Sequence, residues 1–309
     1  MTEAGIALSL APRDCPICAR ADESFLFAES NVDLTKLDAF AFASRKFPEY
    51  MHWRLMECRR CDLLYASPAP VTPALTSAYQ AAAFDSGVEA GFAARTYAEL
   101  LPAIKRRLPD LNGALDIGTG DGVFLGELLK AGFSGVFGVE PSSAPIEAAA
   151  PRIRSLIRQT IFRAEDVAPE SLSLVTCFQT LEHLPDPLAT TASIYRLLKP
   201  GGAVLFVVHN RRALSAKILG GRSPIFDLEH LQLFSPSSLR KLTATAGFID
   251  SRVGPLLNRY PLSYWTKLFP FPTPLKKRLI GLLDRAGLGV AAVALPAGNQ
   301  YVLAFKPQS

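Results

Sequence analysis

The stretch Ala114 to Phe124, ALDIGTGDGVF, constrains this chain more than any other. Four residues of strand character, with an acid at Asp116, run into glycines at 118, 120 and 122, and the helical pattern GVFLGELLKAG follows at once. The reading is strand, tight turn, helix. Glycine reaches backbone angles closed to other residues and leaves no Cβ between main chain and ligand, so this turn makes a floor for a flat, polar molecule. The spacing is G-x-G-x-G, with Val123 where the dinucleotide fingerprint needs its third glycine, which weakens a nucleotide-dehydrogenase reading.

From residue 86 to about 255, strand and helix signals alternate, which predicts a parallel sheet covered on both faces. The second strand, Gly135 to Val139, ends in Glu140, 18 residues beyond Gly122. An acid at that tip accepts hydrogen bonds from both hydroxyls of a ribose; the plainer alternative is a helix cap before Pro141-Ser-Ser. A helix over Ser143 to Ala150 and a weakly signalled third strand within Ser155 to Phe162 come next. The apolar fourth strand, Leu172 to Phe178, then leads into Gln179-Thr-Leu-Glu-His-Leu-Pro-Asp-Pro187. A helix from Leu188 to Leu198 stops at Lys199-Pro-Gly-Gly202, and a fifth strand from Ala203 to Val208 ends in His209-Asn210.

Ahead of this domain, Cys15-Pro-Ile-Cys18 and Cys58-Arg-Arg-Cys61 form two C-x-x-C pairs separated by 39 residues. Each pair chelates through a tight turn, and two such knuckles give the tetrahedral thiolate set that zinc favours. Four protein ligands leave no open coordination position, so the expected zinc is structural; the alternative is four unrelated cysteines. Five cysteines without a secretory signal argue against a disulfide framework. A strand over His52 to Glu57 is expected to lead into the second knuckle, with His52 an ordinary strand residue.

The motifs LDIGTGDG, Glu140, TLEHLPDP and LLKPGG, in this order, resemble those of a class I S-adenosylmethionine-dependent methyltransferase. With the paired cysteines in front, the chain is similar to the branch of that superfamily with an N-terminal zinc-binding domain, over residues 15 to 255. The resemblance implies a Rossmann-like α/β fold, a seven-stranded sheet that is parallel except for an antiparallel last strand, plus a small zinc-ribbon-like module. The strand-like run Asn299 to Lys306 matches that last strand. Carried over residue by residue, Asp116, Gly118, Thr119, Gly120 and Gly122 fall to the methionine moiety of S-adenosylmethionine. Glu140, with Pro141 beside it, falls to the ribose. Phe162 and Ala164 fall to the adenine, and Gln179 and Thr180 to the cleft beside the sulfonium. Two departures stand out: Arg163 occupies the place of an acid common before the adenine segment, and the usual Phe-Asp of the fourth strand reads Leu172-Ser173.

Acceptor chemistry points to three histidines. His183 follows strand four and His209 follows strand five, at the carboxyl ends that open onto the ligand crevice. His230, in DLEHLQLF before a helix over Ser235 to Gly247, resembles the family's D-x-x-H segment. The plainer role of His183 is bracing the turn and that of His209 is capping the strand, whereas His230 reads as a substrate-side residue. Cys177, inside an apolar strand, reads as a packed residue.

The net charge of +5 is unevenly spread: residues 251–309 hold eight basic side chains and one acidic. Within residues 259–285, aromatics beside basic residues suit either a lid over the acceptor pocket or an anionic membrane surface. The N-terminus has an early acid and no basic segment, and the longest apolar run is broken by Pro296, so the expected location is cytoplasmic, or peripheral at the inner membrane surface. The expected organisation is a zinc-binding module over 1–85, a methyltransferase domain over 86–255 and a lid with the last strand over 256–309. The expected function is methyl transfer from S-adenosylmethionine to a small molecule such as a sugar or lipid-linked glycan precursor. The alternative is a non-catalytic cofactor-fold scaffold that binds a partner through the zinc module. Nucleic acid is not an expected partner, because the zinc module is not basic.

Overall fold

The computed structural model describes residues 9–33, 50–71, 75, 79–80, 87–269 and 271–308. The N-terminal part holds β1 (Leu10–Ala11), β2 (Ser24–Ala28), β3 (Leu55–Cys58), β4 (Leu63–Ala66) and β5 (Ala69–Pro70). Helices α1 (Gly87–Ala98) and α2 (Leu101–Lys105) lead to the central elements: β6 (Asn112–Ile117), α3 (Val123–Lys130), β7 (Ser134–Glu140), α4 (Ser143–Ala148), α5 (Pro151–Arg154), β8 (Ile157–Gln159), β9 (Leu172–Phe178), α6 (Pro187–Leu197) and β10 (Leu198–His209). The chain closes with α7 (Leu214–Leu219), β11 (Gln232–Leu233), α8 (Pro236–Thr245), β12 (Ile249–Pro261), α9 (Leu262–Leu268), α10 (Thr273–Arg285) and β13 (Ala292–Phe305).

Seven strands form one sheet in the order β12-β13-β10-β9-β6-β7-β8. The pairs β10–β9, β9–β6, β6–β7 and β7–β8 are parallel, and β13 runs antiparallel to both of its neighbours. Strand sequences explain the layering, because successive side chains point to opposite faces. Val204, Phe206 and Val208 join Leu115, Ile117 and Val175 in one core, whereas Ala203, Leu205 and Val207 join Ala114 and Leu174 in the other. Strands buried on both faces read as continuous apolar runs, as β9 and β10 do. Helix α6 begins where Asp186 accepts a hydrogen bond from the Ala189 amide at 2.8 Å, with Pro187 in its first turn.

A separate four-stranded sheet has the order β11-β4-β3-β2. Its edge strand β11 pairs Gln232 with Tyr65 and Leu233 with Leu64, so a segment from beyond the fifth central strand completes the N-terminal sheet. That exchange was not visible in the sequence, since a two-residue strand has no periodicity.

Several boundaries differ from expectation. The helix expected over Ser143 to Ala150 is two helices, because Pro151 forces the preceding residue out of the helical region; Ala149 and Ala150 take ψ 143 and 140. Strand β10 starts at Leu198, ahead of the Lys-Pro-Gly-Gly turn, and absorbs it as an irregularity between Leu198 and Ala203. His209 is the last residue of that strand rather than a residue beyond it. The strand expected over His52 to Glu57 is β3, and the segment 34–49 between the knuckles lies outside the described residues. Strands β12 and β13 form a long pair, Ile249 against Phe305 at one end and Pro261 against Ala292 at the other. Strand β12 therefore runs through the expected boundary at residue 255.

Phe206 is fully buried in the centre of the sheet. Phe206→Ala should cost about 3–5 kcal/mol through lost burial and the cavity left behind. A fall in the urea midpoint at unchanged slope checks this.

Candidate functional site

A cleft of about 910 Å³ opens at the carboxyl ends of β6, β7, β9 and β10. One end is the glycine turn. Gly118 has φ +72, and a Cβ there would collide with the Thr180 side chain, whereas Gly120, at φ +56, faces open space with nothing within 4 Å of such a Cβ. The backbone of the turn is thus pressed on one side and bare on the other. Its amides at Gly118 and Thr119 are tied to the Val139 carbonyl at 2.9 and 3.1 Å. Glu140 accepts from the Gly120 amide at 3.0 Å and from the Ser142 amide at 2.9 Å, one on each carboxylate oxygen. Burial pushes its carboxyl upward, and these two amides oppose that. Each oxygen keeps further acceptor capacity.

Asp116 is 3% exposed, and burial raises its carboxyl to about 7, although the Thr176 hydroxyl donates to it at 2.6 Å. Gln179 follows β9 directly with φ +50, and both of its buried amide atoms lack a hydrogen-bond partner. A side chain held in a left-handed backbone conformation with its polar atoms unspent is a sign of a site rather than of packing. Thr119, Pro141, Phe162 and Thr180 also line the cleft. Ala164 lies in a 3-10 turn over 164–166 just outside the lining, which Thr160 and Ile161 share with Phe162.

At the other end the three histidines converge. The His183 and His209 rings each lie 5.0 Å, centroid to centroid, from the His230 ring. Between them is Glu182, 1% exposed, which the sequence reading passed over as part of a turn. Its Oε1 is 2.7 Å from His209 Nδ1 and accepts from the His209 amide at 3.2 Å, while its Oε2 is buried with no hydrogen-bond partner. Burial alone would raise this carboxyl; the His209 hydrogen bond and the neighbouring imidazoles outweigh it, and the group stays below the ordinary range. The available signal was one acid, immediately before a histidine, in an otherwise apolar turn at the end of a central strand.

His230 is 9% exposed and its Nδ1 pairs with the Ile225 carbonyl at 2.8 Å, which leaves Nε2 as the lone-pair nitrogen. Burial, then repulsion from His209, lowers its pKa. His183 Nδ1 lies 3.2 Å from the Tyr79 hydroxyl and 3.6 Å from Glu229. Its pKa falls to about 3, mainly through burial and then through His230. Cys177 is fully buried in β9, as expected of a packed residue.

The C-terminal segment contributes to the lining of the cleft. Tyr260, Tyr264 and Trp265 border the cleft, and the Trp265 indole donates to the Val293 carbonyl at 2.9 Å. The four cysteines of the two knuckles meet: their Sγ atoms lie within 4.8 Å of one another, with Cys18 and Cys58 at 3.7 Å. The edge of a tetrahedron with 2.3 Å zinc–sulfur bonds is about 3.8 Å. No helix among the described residues is long and apolar enough to cross a membrane.

Because folded His183 titrates near 3 and an unfolded histidine near 6.5, the unfolded chain binds the extra proton between those values. Stability should therefore be complete above pH 6.5 and fall as pH drops toward 3, by up to about 1.4 kcal/mol per pH unit for this group. Urea denaturation of His183→Gln at pH 7, 6 and 5 should give a shallower slope by one proton.

A family model described as a methyltransferase domain matches residues 90–250, just over half of the chain. The ubiquinone biosynthesis O-methyltransferase of Aliivibrio fischeri is 31% identical over 168 residues, covering 48% of this chain and 70% of that protein. Its namesake from Vibrio cholerae is 32% identical over 143 residues, covering 41% and 57%. A solved S-adenosylmethionine-dependent methyltransferase from Archaeoglobus fulgidus aligns with a TM-score of 0.47 at 16% identity, over 69% of this chain and 94% of that one. With the glycine turn, the acid on β7 and the antiparallel seventh strand already in place, the family match makes the chain a member of the class I S-adenosylmethionine-dependent methyltransferases.

Proposed function

We propose that the protein methylates an oxygen of a small-molecule acceptor, whose proton leaves at the Glu182–His209 pair. The observation that carries this reading is the carboxylate-backed imidazole at one end of a cleft whose other end is the glycine turn. Bound S-adenosylmethionine supplies a methyl group on a positively charged sulfur, so the leaving group needs no further activation. The residues present suit it. The bare backbone at Gly120 admits a flat ligand, Glu140 has acceptor capacity for ribose hydroxyls, and the unspent Gln179 amide faces the middle of the cleft. Asp116, Gly118 and Thr119 border the methionine end in this assignment, with Pro141 and Phe162 toward the nucleoside and Thr180 between the two ends; Gly122 does not line the cleft but starts α3, packed against Ile153 and Ile157.

What remains for the protein is alignment, exclusion of water and removal of one proton. His209 takes that proton, with Glu182 fixing the ring and stabilising the imidazolium. His230, whose lone-pair nitrogen is on Nε2, orients the acceptor, and His183 stays neutral against Tyr79. Tyr97, Phe178, Tyr264 and Trp265 give the cleft aromatic walls that suit an aromatic hydroxyl, and the curated relatives are named as O-methyltransferases of ubiquinone biosynthesis. A sugar hydroxyl is the second reading, favoured by Asp227, Glu229, Asn258 and Asn299 on the same lining.

The cysteine cluster is proposed to hold one structural zinc, with no position open for substrate. Helix α10 presents Leu275 and Leu282 to solvent among Lys276, Lys277 and Arg278, and on this reading the lid rests on anionic lipid.

Calorimetry should detect S-adenosylmethionine binding, and Glu140→Ala should weaken it at least tenfold; absence of binding at millimolar cofactor would sink the enzyme reading. With 3,4-dihydroxybenzoate and a nucleotide sugar as probes, mass spectrometry of products distinguishes the two acceptor classes, and His209→Ala should lower kcat by about 10²–10⁴. Elemental analysis should find one zinc per chain, lost in Cys58→Ser.

A further inference from the structure

The reaction as assigned makes no use of the N-terminal module, yet that module is built into the wall that carries the histidines. Residue 230 immediately precedes the segment Leu231–Leu233, and β11 is a strand of the N-terminal sheet, not of the central one. The contact centres on Arg13, two residues before the first knuckle. Its Nε donates to the Ala66 carbonyl at 2.8 Å, at the end of β4. Its Nη1 donates to the Pro185 carbonyl at 2.9 Å, two residues past His183. Its Nη2 donates to the Leu231 carbonyl and, at 3.0 Å, to Gln232 Oε1. One planar guanidinium thus joins the second knuckle's sheet, the turn that carries Glu182 and His183, and the residue after His230.

The same three segments are laced together around it. The Leu231 amide donates to the Glu182 carbonyl at 2.9 Å, and the Gln232 amide nitrogen donates to the Leu181 and Leu184 carbonyls at 2.9 and 2.8 Å. A second clamp acts on His209 from the other side. Arg211, 8% exposed, donates to Glu57 at 2.6 Å and lies 3.3 Å from Asp62; Arg212 pairs with both acids as well. Glu57 and Asp62 directly flank Cys58 and Cys61. By contrast, the residues at the methyl-donor end, Asp116, Glu140 and Gln179, are supported by Thr176, Gly120, Ser142 and the central sheet.

We propose that Arg13 is a positioning residue for acceptor methylation: it transmits the fixed shape of the cysteine module to His183 and His230, with Arg211 doing the same for the segment after His209, and leaves the donor half of the cleft untouched. The inference rests on the acceptor-side reading given above. Arginine is suited to this and lysine is not, because four acceptors fan around one plane and an ammonium donates from a point. Removing the guanidinium takes a donor from carbonyls of three segments at once, leaving Leu231 only the Ala66 amide at 2.8 Å, and two of those segments carry the histidines 183 and 230.

The test uses the full-length protein and three readouts. In Arg13→Ala, the imidazole signals of His183 and His230 in 15N-histidine-labelled protein should shift, while the S-adenosylmethionine Kd stays within twofold of the parent. With 3,4-dihydroxybenzoate as acceptor, kcat/KM should fall 10- to 100-fold. Millimolar guanidinium should restore it at least fivefold in Arg13→Ala, and Arg13→Lys should not recover it. A parallel loss of S-adenosylmethionine affinity, or histidine signals that stay in place, would overturn the proposal. Where Arg13→Ala does not fold, Arg211→Met read by the same spectra and the same Kd decides: a shifted His209 signal with unchanged Kd supports the clamp, and unmoved signals overturn it. Failure of the parent protein to methylate the catechol bears on the proposed reaction alone, since the spectra and the Kd need no acceptor.

Discussion

A carboxylate that is 1% exposed must be compensated where it stands, and Glu182 organises half of the cleft through that requirement. One oxygen is met twice by His209, through its amide and its ring, which pins the end of β10 against the turn after β9. The backbone carbonyl of the same residue accepts from Leu231 and so draws the His230 segment over it. Three histidines from three separate segments come within ring contact because one buried charge needs them there. Burial, with repulsion from a neighbouring imidazole, lowers the pKa of both His183 and His230 beside the carboxylate.

The donor half of the cleft was legible in the sequence because it is local. The glycine turn, its strand and its helix are consecutive, and Glu140 follows at an interval set by one helix and one strand. The acceptor half was legible only in its histidines. Arg13 and Leu231 are 218 residues apart, and no pattern in either neighbourhood reports the other. Strand β12 was hidden for a different reason: Gly254, Pro255 and Pro261 interrupt its alternation, which an edge strand tolerates because one side of its ladder carries no partner.

Two buried carboxylates lie at the two ends of the cleft, and their surroundings drive them in opposite directions. Asp116 has hydroxyl donors around it and no cation, so burial wins and the group is half protonated near pH 7. Glu182 has imidazoles around it, so burial loses and the group stays charged. Methyl donor and acceptor place opposite demands on such a cleft. On the proposed assignment, a cationic donor bound beside Asp116 favours its ionised form and draws the proton off, and an acceptor hydroxyl at the other end meets a charge already in place, with the His209 imidazole against the carboxylate. The order of the two halves along the cleft, proton-bearing at the glycine turn and charge-bearing at the histidines, is therefore fixed by what packs around each carboxylate rather than by the carboxylates themselves.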